Sequence, residues 1–291
     1  KEVYLFVHTI TMSSSYWGVM MRRKPIWDSP TTIEIVPNFY LHTFYCSLFF
    51  LILMALVPIV LSRLYPNWYK SLSDKKKQEL PAYLTSLVHH STVVPLAWYG
   101  IYQDFQVIDP DQPFDMTVFI NFAAPFCVGF IVADTFYYAI PLCFHGNVEY
   151  IIHHALALWM TYALISSSGH LIRYFPHIVI CDTTNAIFNL AWILRTTGLR
   201  NSAFVSTLEV SFAVLFFFLR IINLSVVFYI LFHSADGNFG VGKYAFPLIS
   251  LLQFYWQLKI AQALLKKFAP SKEKGGHKDT TVSPRPAKKA A

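Results

Sequence analysis

The chain has 291 residues, 55% hydrophobic and 13% charged, with a formal net charge of +7. Its apolar residues fall in long unbroken runs rather than at amphipathic spacing, which excludes an ordinary soluble domain and indicates an integral membrane protein. The excess of basic residues sits in connections and a tail beside those runs, not on a folded face, which argues against nucleic acid as a partner.

In chain order, residues 1–37 come first. Tyr4, Leu5, Phe6 and Val7 begin an apolar stretch, but Thr9, Thr11, Ser13, Ser14 and Ser15 break it before it could span, and it does not read as a signal peptide. An extramembrane segment is expected there. Seven runs follow, at 41–61, 83–102, 117–140, 150–168, 173–195, 205–232 and 244–265. Each is long enough for a hydrocarbon core of roughly 30 Å, which needs about 20 helical residues because lipid offers the backbone no hydrogen-bond partners. The expected fold is therefore an all-α membrane protein, a bundle of about seven transmembrane helices over residues 38–268. Beyond Phe268 the chain turns to Pro, Lys, Gly and Thr, and residues 269–291 are expected to form a disordered basic tail.

Charge placement sets an expected orientation. The first connection carries Arg63, Lys70, Lys75, Lys76 and Lys77, whereas the second has Asp104, Asp109, Asp111 and Asp115 and no basic residue. The first is expected to be cytoplasmic. Counting onward puts Arg195, Arg200, Lys266, Lys267, Lys272, Lys274 and Lys278 on that same side. Arg22, Arg23 and Lys24 would fall on the opposite side, well ahead of the first span. The residues Lys288-Lys289-Ala290-Ala291 resemble the dilysine signal by which coat proteins retrieve membrane proteins to the endoplasmic reticulum, which would need a cytoplasmic C-terminus.

Ionisable side chains inside spans cost roughly 2.5–3.5 kcal/mol each, so they tend to face a cavity or a partner. Here they are His89 and His90, Asp134, His153 and His154, His177 and Asp182, Glu209 and Arg220, and Lys259. Seven of them (His89, His90, Asp134, His153, His154, Glu209 and Lys259) fall in the cytoplasmic halves of their helices, which points to one polar cavity. Asp182, Asn185 and Asn189 follow i, i+3, i+7 and share a helix face, and Glu209 and Arg220 align on the next helix. Asp182 lies deeper than His153 and His154, and Pro176 is expected to kink its helix and change that depth.

The residue types narrow the chemistry. Cys46, Cys127, Cys143 and Cys181 have no paired spacing, so neither a disulfide framework nor a zinc site is indicated. There is no H-x-x-H-H box for a di-iron centre and no nucleotide loop, H-E-x-x-H or G-x-S-x-G motif. The paired helix histidines could hold haem axially, but nothing else in the sequence supports it. No metal and no required cofactor are expected. A transporter would show an internal repeat or broken helices, and neither is visible.

Gly129, Phe130, Ala133 and Asp134, then His153-His154, then Asp182 with Asn189 and Trp192 resemble, in this order and spacing, the TLC-domain family of membrane proteins, which includes the ceramide synthases. Ser86-x-x-His89, Arg220 and Trp256-x-x-Lys259 agree, so the resemblance covers about residues 80–267. It implies an endoplasmic reticulum lipid protein with a long cavity for an acyl chain or sphingoid base. In the synthases, paired histidines work with two aspartates three residues apart on the next helix, transferring an acyl group from acyl-CoA to an amine. The matching positions here are Asp182 and Asn185, so the second carboxylate is missing, and Cys181 stands where the synthases carry His. The chain therefore resembles the non-synthase branch more closely.

Two functions follow from this resemblance. The first is binding or regulating acyl lipids within the bundle, in membrane lipid homeostasis, with Asp134, Asn185, Asn189, His89, Arg220 and Lys259 gripping a headgroup. The alternative is an acyl-CoA-dependent N-acyltransferase in which His153 or His154 acts as base or transient acyl acceptor and Asp182 orients it. The expected partners are the bilayer and either a membrane lipid or acyl-CoA.

Overall fold

A computed structural model describes residues 39–106, 118–144, 146, 148–166, 174–200, 202–234 and 244–268. The segment 1–37, the acidic residues Asp109, Asp111 and Asp115, and the tail 269–291 with Lys288 and Lys289 lie outside the described residues. Among the described residues the chain is helical without strands, as an all-α membrane bundle requires. Seven long helices and one short one follow in order. They are α1 (Phe39–Leu64), the short α2 (Pro66–Ser71), α3 (Asp74–Gln106), α4 (Phe119–Ala123, Ala124–Asp134, Thr135–Ala139 and Ile140–Cys143 in one rod), α5 (Val148–Ser166), α6 (Phe175–Val179 and Asp182–Thr196), α7 (Ala203–Phe216, Phe217–Asn223 and Leu224–Ser234) and α8 (Ala245–Phe268).

Four of these are long and apolar enough to cross a membrane by length and composition: Phe39–Leu64, Asn121–Cys143, Phe175–Thr196 and Ala203–Tyr229. The other long helices, α3, α5 and α8, also reach span length and carry polar residues in their runs: His89-His90, His153-His154, and Gln253, Gln257 and Lys259. Large apolar side chains that a soluble protein would bury stand exposed on the outside, among them Ile52 and Ile59 on α1, Phe217 and Phe218 on α7, and Leu251 and Leu258 on α8. They form the surface that lipid covers.

Three stretches, Phe119–Ala123, Thr135–Ala139 and Phe217–Asn223, are wound as π-helix. Such wide turns are frequent at functional sites because they re-aim the side chains that follow. The break in α6 falls at Ile180–Cys181, not at Pro176. Pro176 sits in the first turn of Phe175–Val179, where its missing N–H leaves no hydrogen bond unmade, and its carbonyl still accepts from Ile180 N at 2.9 Å. The break makes Asp182 the first residue of the second segment, where a carboxylate suits the positive end of the helix dipole.

α6 stops at Gly198, whose φ of 95° only glycine adopts freely, with Leu199 N donating to Leu194 O at 3.1 Å across the turn. α7 starts on Ser202, whose side chain accepts from Val205 N at 3.2 Å. The same end of the bundle is tied by Trp68 Nε1 to Thr196 O at 3.2 Å, and by Glu209, which takes Arg195 at 3.1 Å and Lys267 at 2.6 Å. The basic residues of the first connection, of the α6 end and of the α8 end thus gather at one end.

α1 packs chiefly on α4. Gly129 makes this possible, because a Cβ there would come within 2.5 Å of Cys46 Cβ and 2.9 Å of Ser47 N. Phe50 fills the seam above it, 4.8 Å from Phe126 and 5.2 Å from Phe130 between ring centres. Gly129→Leu should therefore lever α1 away and lower stability by about 1–3 kcal/mol, the usual range for overpacking. Thermal unfolding of the purified protein in detergent checks this, and an unchanged midpoint would show that α1 is free to shift.

Candidate functional site

A cavity of about 500 Å³ lies between α3, α4, α5, α6, α7 and α8. The residues given a catalytic or headgroup role from the sequence line it, together with His90: His89 and His90 from α3, Asp134 from α4, His153 and His154 from α5, Asp182, Asn185 and Asn189 from α6, Arg220 from α7 and Lys259 from α8. Glu209 does not. It shares with Arg220 the face of α7 that looks toward α6 and α8, but stands at the basic end of the bundle. Farther along the same helices the lining is apolar, with Met160 and Leu164 on α5, Phe175 and Val179 on α6, and Leu224 and Phe228 on α7.

Within the cavity the residues pair in a way no single helix predicts. His154 Nε2 lies 3.4 Å from Asp134 Oδ2, and its Nδ1 is 2.9 Å from Thr135 Oγ1. Asp182 meets neither His153 nor His154. Its Oδ2 is 3.9 Å from His90 Nε2, while its Oδ1 accepts from Asn185 Nδ2 at 3.1 Å and is 3.7 Å from Arg220 Nη2. His90 Nδ1 in turn faces Ser86 Oγ at 3.2 Å, and Ser86 Oγ accepts from Asn189 Nδ2 at 2.8 Å. The i, i+3, i+7 face of α6 is thus a continuous polar strip against α3. Tyr83 and Trp192 continue that interface, stacked 4.1 Å apart and nearly parallel.

Arg220 is the fixed positive charge of the site, with only 5% of its surface exposed. Its Nε donates to Thr184 Oγ1 at 2.8 Å, its Nη1 to Gln253 Oε1 at 3.2 Å, and the guanidinium lies 5.3 Å from the centre of the Phe216 ring. The π-turn that carries it directs it inward between α6 and α8. Thr184 and Gln253 were not expected from the sequence. Thr184 lies two residues from Asp182, off the i, i+3, i+7 strip, and becomes buried because α6 is covered on more than one side.

His153 stacks edge-on against Trp256 at 5.0 Å, and its Nδ1 is buried without a hydrogen-bond partner among the described residues. His89 lies nearly parallel to Phe130 at 4.2 Å, with neither ring nitrogen partnered among the described residues. At the mouth, Lys259 Nζ meets Glu149 Oε1 at 3.2 Å. Glu149 stands just ahead of the apolar run of α5, and its own main-chain N–H, together with Lys259, holds its carboxyl below the ordinary range.

One donor set has metal-like composition. Ligand atoms of His89, His90 and Asp182 lie within 4.8 Å of one another. Arg220 already stands against the same carboxylate, so its guanidinium takes up part of the space a cation would need.

Compared with known families, residues 81–262, well over half of the chain, match the family model described as the TLC domain. No curated protein and no solved structure matches the chain.

Proposed function

Because this chain belongs to the TLC-domain family, whose work concerns membrane lipids, we propose that it binds an acyl lipid in the cavity between its helices and so serves membrane lipid homeostasis. The observation that carries this reading is the division of the cavity into two chemistries. Asp134, His154, Asp182, Asn185, Asn189 and Arg220 supply polar lining, and farther along α5, α6 and α7 the lining from Met160 to Phe228 is apolar. A headgroup with hydrogen-bonding or anionic groups suits the first, and an acyl chain suits the second at about 0.8 kcal/mol for each methylene removed from water. The volume of about 500 Å³ falls within the range of about 300–1,000 Å³ usual for small-molecule sites. The basic end of the bundle would face the cytoplasm by the positive-inside rule, and the endoplasmic reticulum is the membrane that suits such a role.

A second reading is transfer of an acyl group from acyl-CoA to an amine, resembling the ceramide synthases. What favours it is the pairing of two histidines with carboxylates across the cavity, His154 with Asp134 and His90 with Asp182. No cofactor is required on either reading. Native mass spectrometry of the purified protein, followed by digestion, tests them together. The expected result is a lipid released intact by collisional activation. An acyl adduct on His153 or His154 would favour transfer, and folded protein that carries no lipid would overturn the binding reading.

A further inference from the structure

Two chains of hydroxyl, imidazole and carboxylate face the cavity, and their hydrogen-bond directions differ. In the first, Thr135 Oγ1 donates its single hydrogen to the Ile131 carbonyl at 2.6 Å, so its 2.9 Å contact with His154 Nδ1 has the imidazole N–H as donor. His154 Nδ1 therefore cannot take a proton from Thr135. In the second, Asn189 Nδ2 donates to Ser86 Oγ at 2.8 Å, which leaves the hydroxyl hydrogen for His90 Nδ1 at 3.2 Å. The Asp182 carboxylate, whose Oδ2 lies 3.9 Å from His90 Nε2, favours the ring hydrogen on that nitrogen, which leaves Nδ1 to accept. Most other hydroxyls on these helices, such as Ser91, Thr161 and Thr184, donate to a main-chain carbonyl one turn back. The partners of Ser86 Oγ are both side chains.

We propose that Ser86 is a nucleophile, with His90 as its base and Asp182 as the positioning residue, that takes an acyl group from a lipid ester or thioester held in the cavity. This rests on the cavity being a site for acyl lipids and adds a covalent step to it. Ser86 Oγ bonds to the acyl carbonyl carbon while its proton moves to His90 Nδ1. The bond from that carbon to the leaving oxygen or sulfur breaks, and the leaving atom takes the proton from His90. The products are acyl-Ser86 and a free alcohol or thiol. An amine, alcohol or water then attacks the acyl carbon by the same route in reverse and frees Ser86. Asp182 stabilises the imidazolium that forms in each half. Its 3.9 Å separation is of the loose kind that tightens when substrate and charge are present.

The test is labelling of the whole chain in lipid nanodiscs with a long-chain alkyl fluorophosphonate, which bonds to an activated serine oxygen with loss of fluoride. Peptide mass spectrometry locates the adduct, and lipid retained by each variant shows that its bundle is intact. The expected result is an adduct on Ser86, none in Ser86→Ala, and a labelling rate at least about 100-fold lower in His90→Asn, the usual scale of general-base catalysis. Asn keeps an acceptor near the position of Nδ1 but cannot take the proton. Wild-type protein that retains lipid yet stays unlabelled at Ser86, or an unchanged rate in His90→Asn, overturns the proposal and leaves lipid binding intact. Labelled protein that never holds lipid supports the nucleophile and overturns the binding reading instead.

Discussion

Arg220→Met should lower stability by about 3–5 kcal/mol, as expected when one partner of a buried charged network is removed. The guanidinium joins three helices: Thr184 and Asp182 on α6, Gln253 on α8, and the π-turn of α7 from which it projects. Methionine fills much of the same space but leaves Gln253 Oε1 and Asp182 Oδ1 short of a partner, each loss worth about 1–3 kcal/mol. Lysine would not substitute well, since a single ammonium lacks the guanidinium's fork of donors that reaches Thr184, Gln253 and Asp182. Thermal unfolding in detergent provides the measurement. Combining Arg220→Gln with Asp182→Asn removes both charges and should recover much of the loss. A midpoint unchanged in the single variant would mean that apolar packing alone holds α6, α7 and α8 together.

Ala157→Trp should reduce co-purifying lipid by at least 100-fold. Ala157 is buried, lines the cavity, and lies one helical turn beyond His153. An indole there fills cavity space and removes no member of the polar cluster. Displacing about five methylenes at roughly 0.8 kcal/mol each costs on the order of 4 kcal/mol, close to a 1,000-fold loss of affinity. Lipid extracted per mole of protein and quantified by mass spectrometry reads this directly. Wild-type lipid content in the variant would place the bound lipid somewhere other than this cavity.

The fold was legible in the sequence where the bilayer dictates it. Backbone groups in lipid must be satisfied within a helix, so an apolar run of the right length leaves no other structure. The same rule explains why boundaries were missed. α3 begins at Asp74, nine residues before its apolar run, because lipid constrains only the part that lies within the core. The polar strip Asp182, Asn185 and Asn189 was legible from helical periodicity alone. The pairings were not, since His154 with Asp134 and His90 with Asp182 depend on the register between helices, which no single helix records. The break after Ile180 and the three π-turns were illegible as well. A wide turn changes the winding without changing the residue types that a bilayer selects, so no period in the sequence marks it.

The π-turn at Phe217–Asn223 makes chain length a functional quantity. Each residue in an α-helix advances the winding by about 100°, so rewinding this wide turn as α-helix at the same length would rotate all of Leu224–Ser234 by about that angle. Val227 and Leu231, both fully buried, would swing toward lipid, and Tyr229, now on the outside, would be driven toward the core. Arg220 would lose the wide turn that aims it between α6 and α8. A single deletion inside the turn, by contrast, lets it close to α-helix with Leu224–Ser234 in place, so its cost falls on the aim of Arg220. The turn thus sets the phase of the helix beyond it as well as the aim of Arg220.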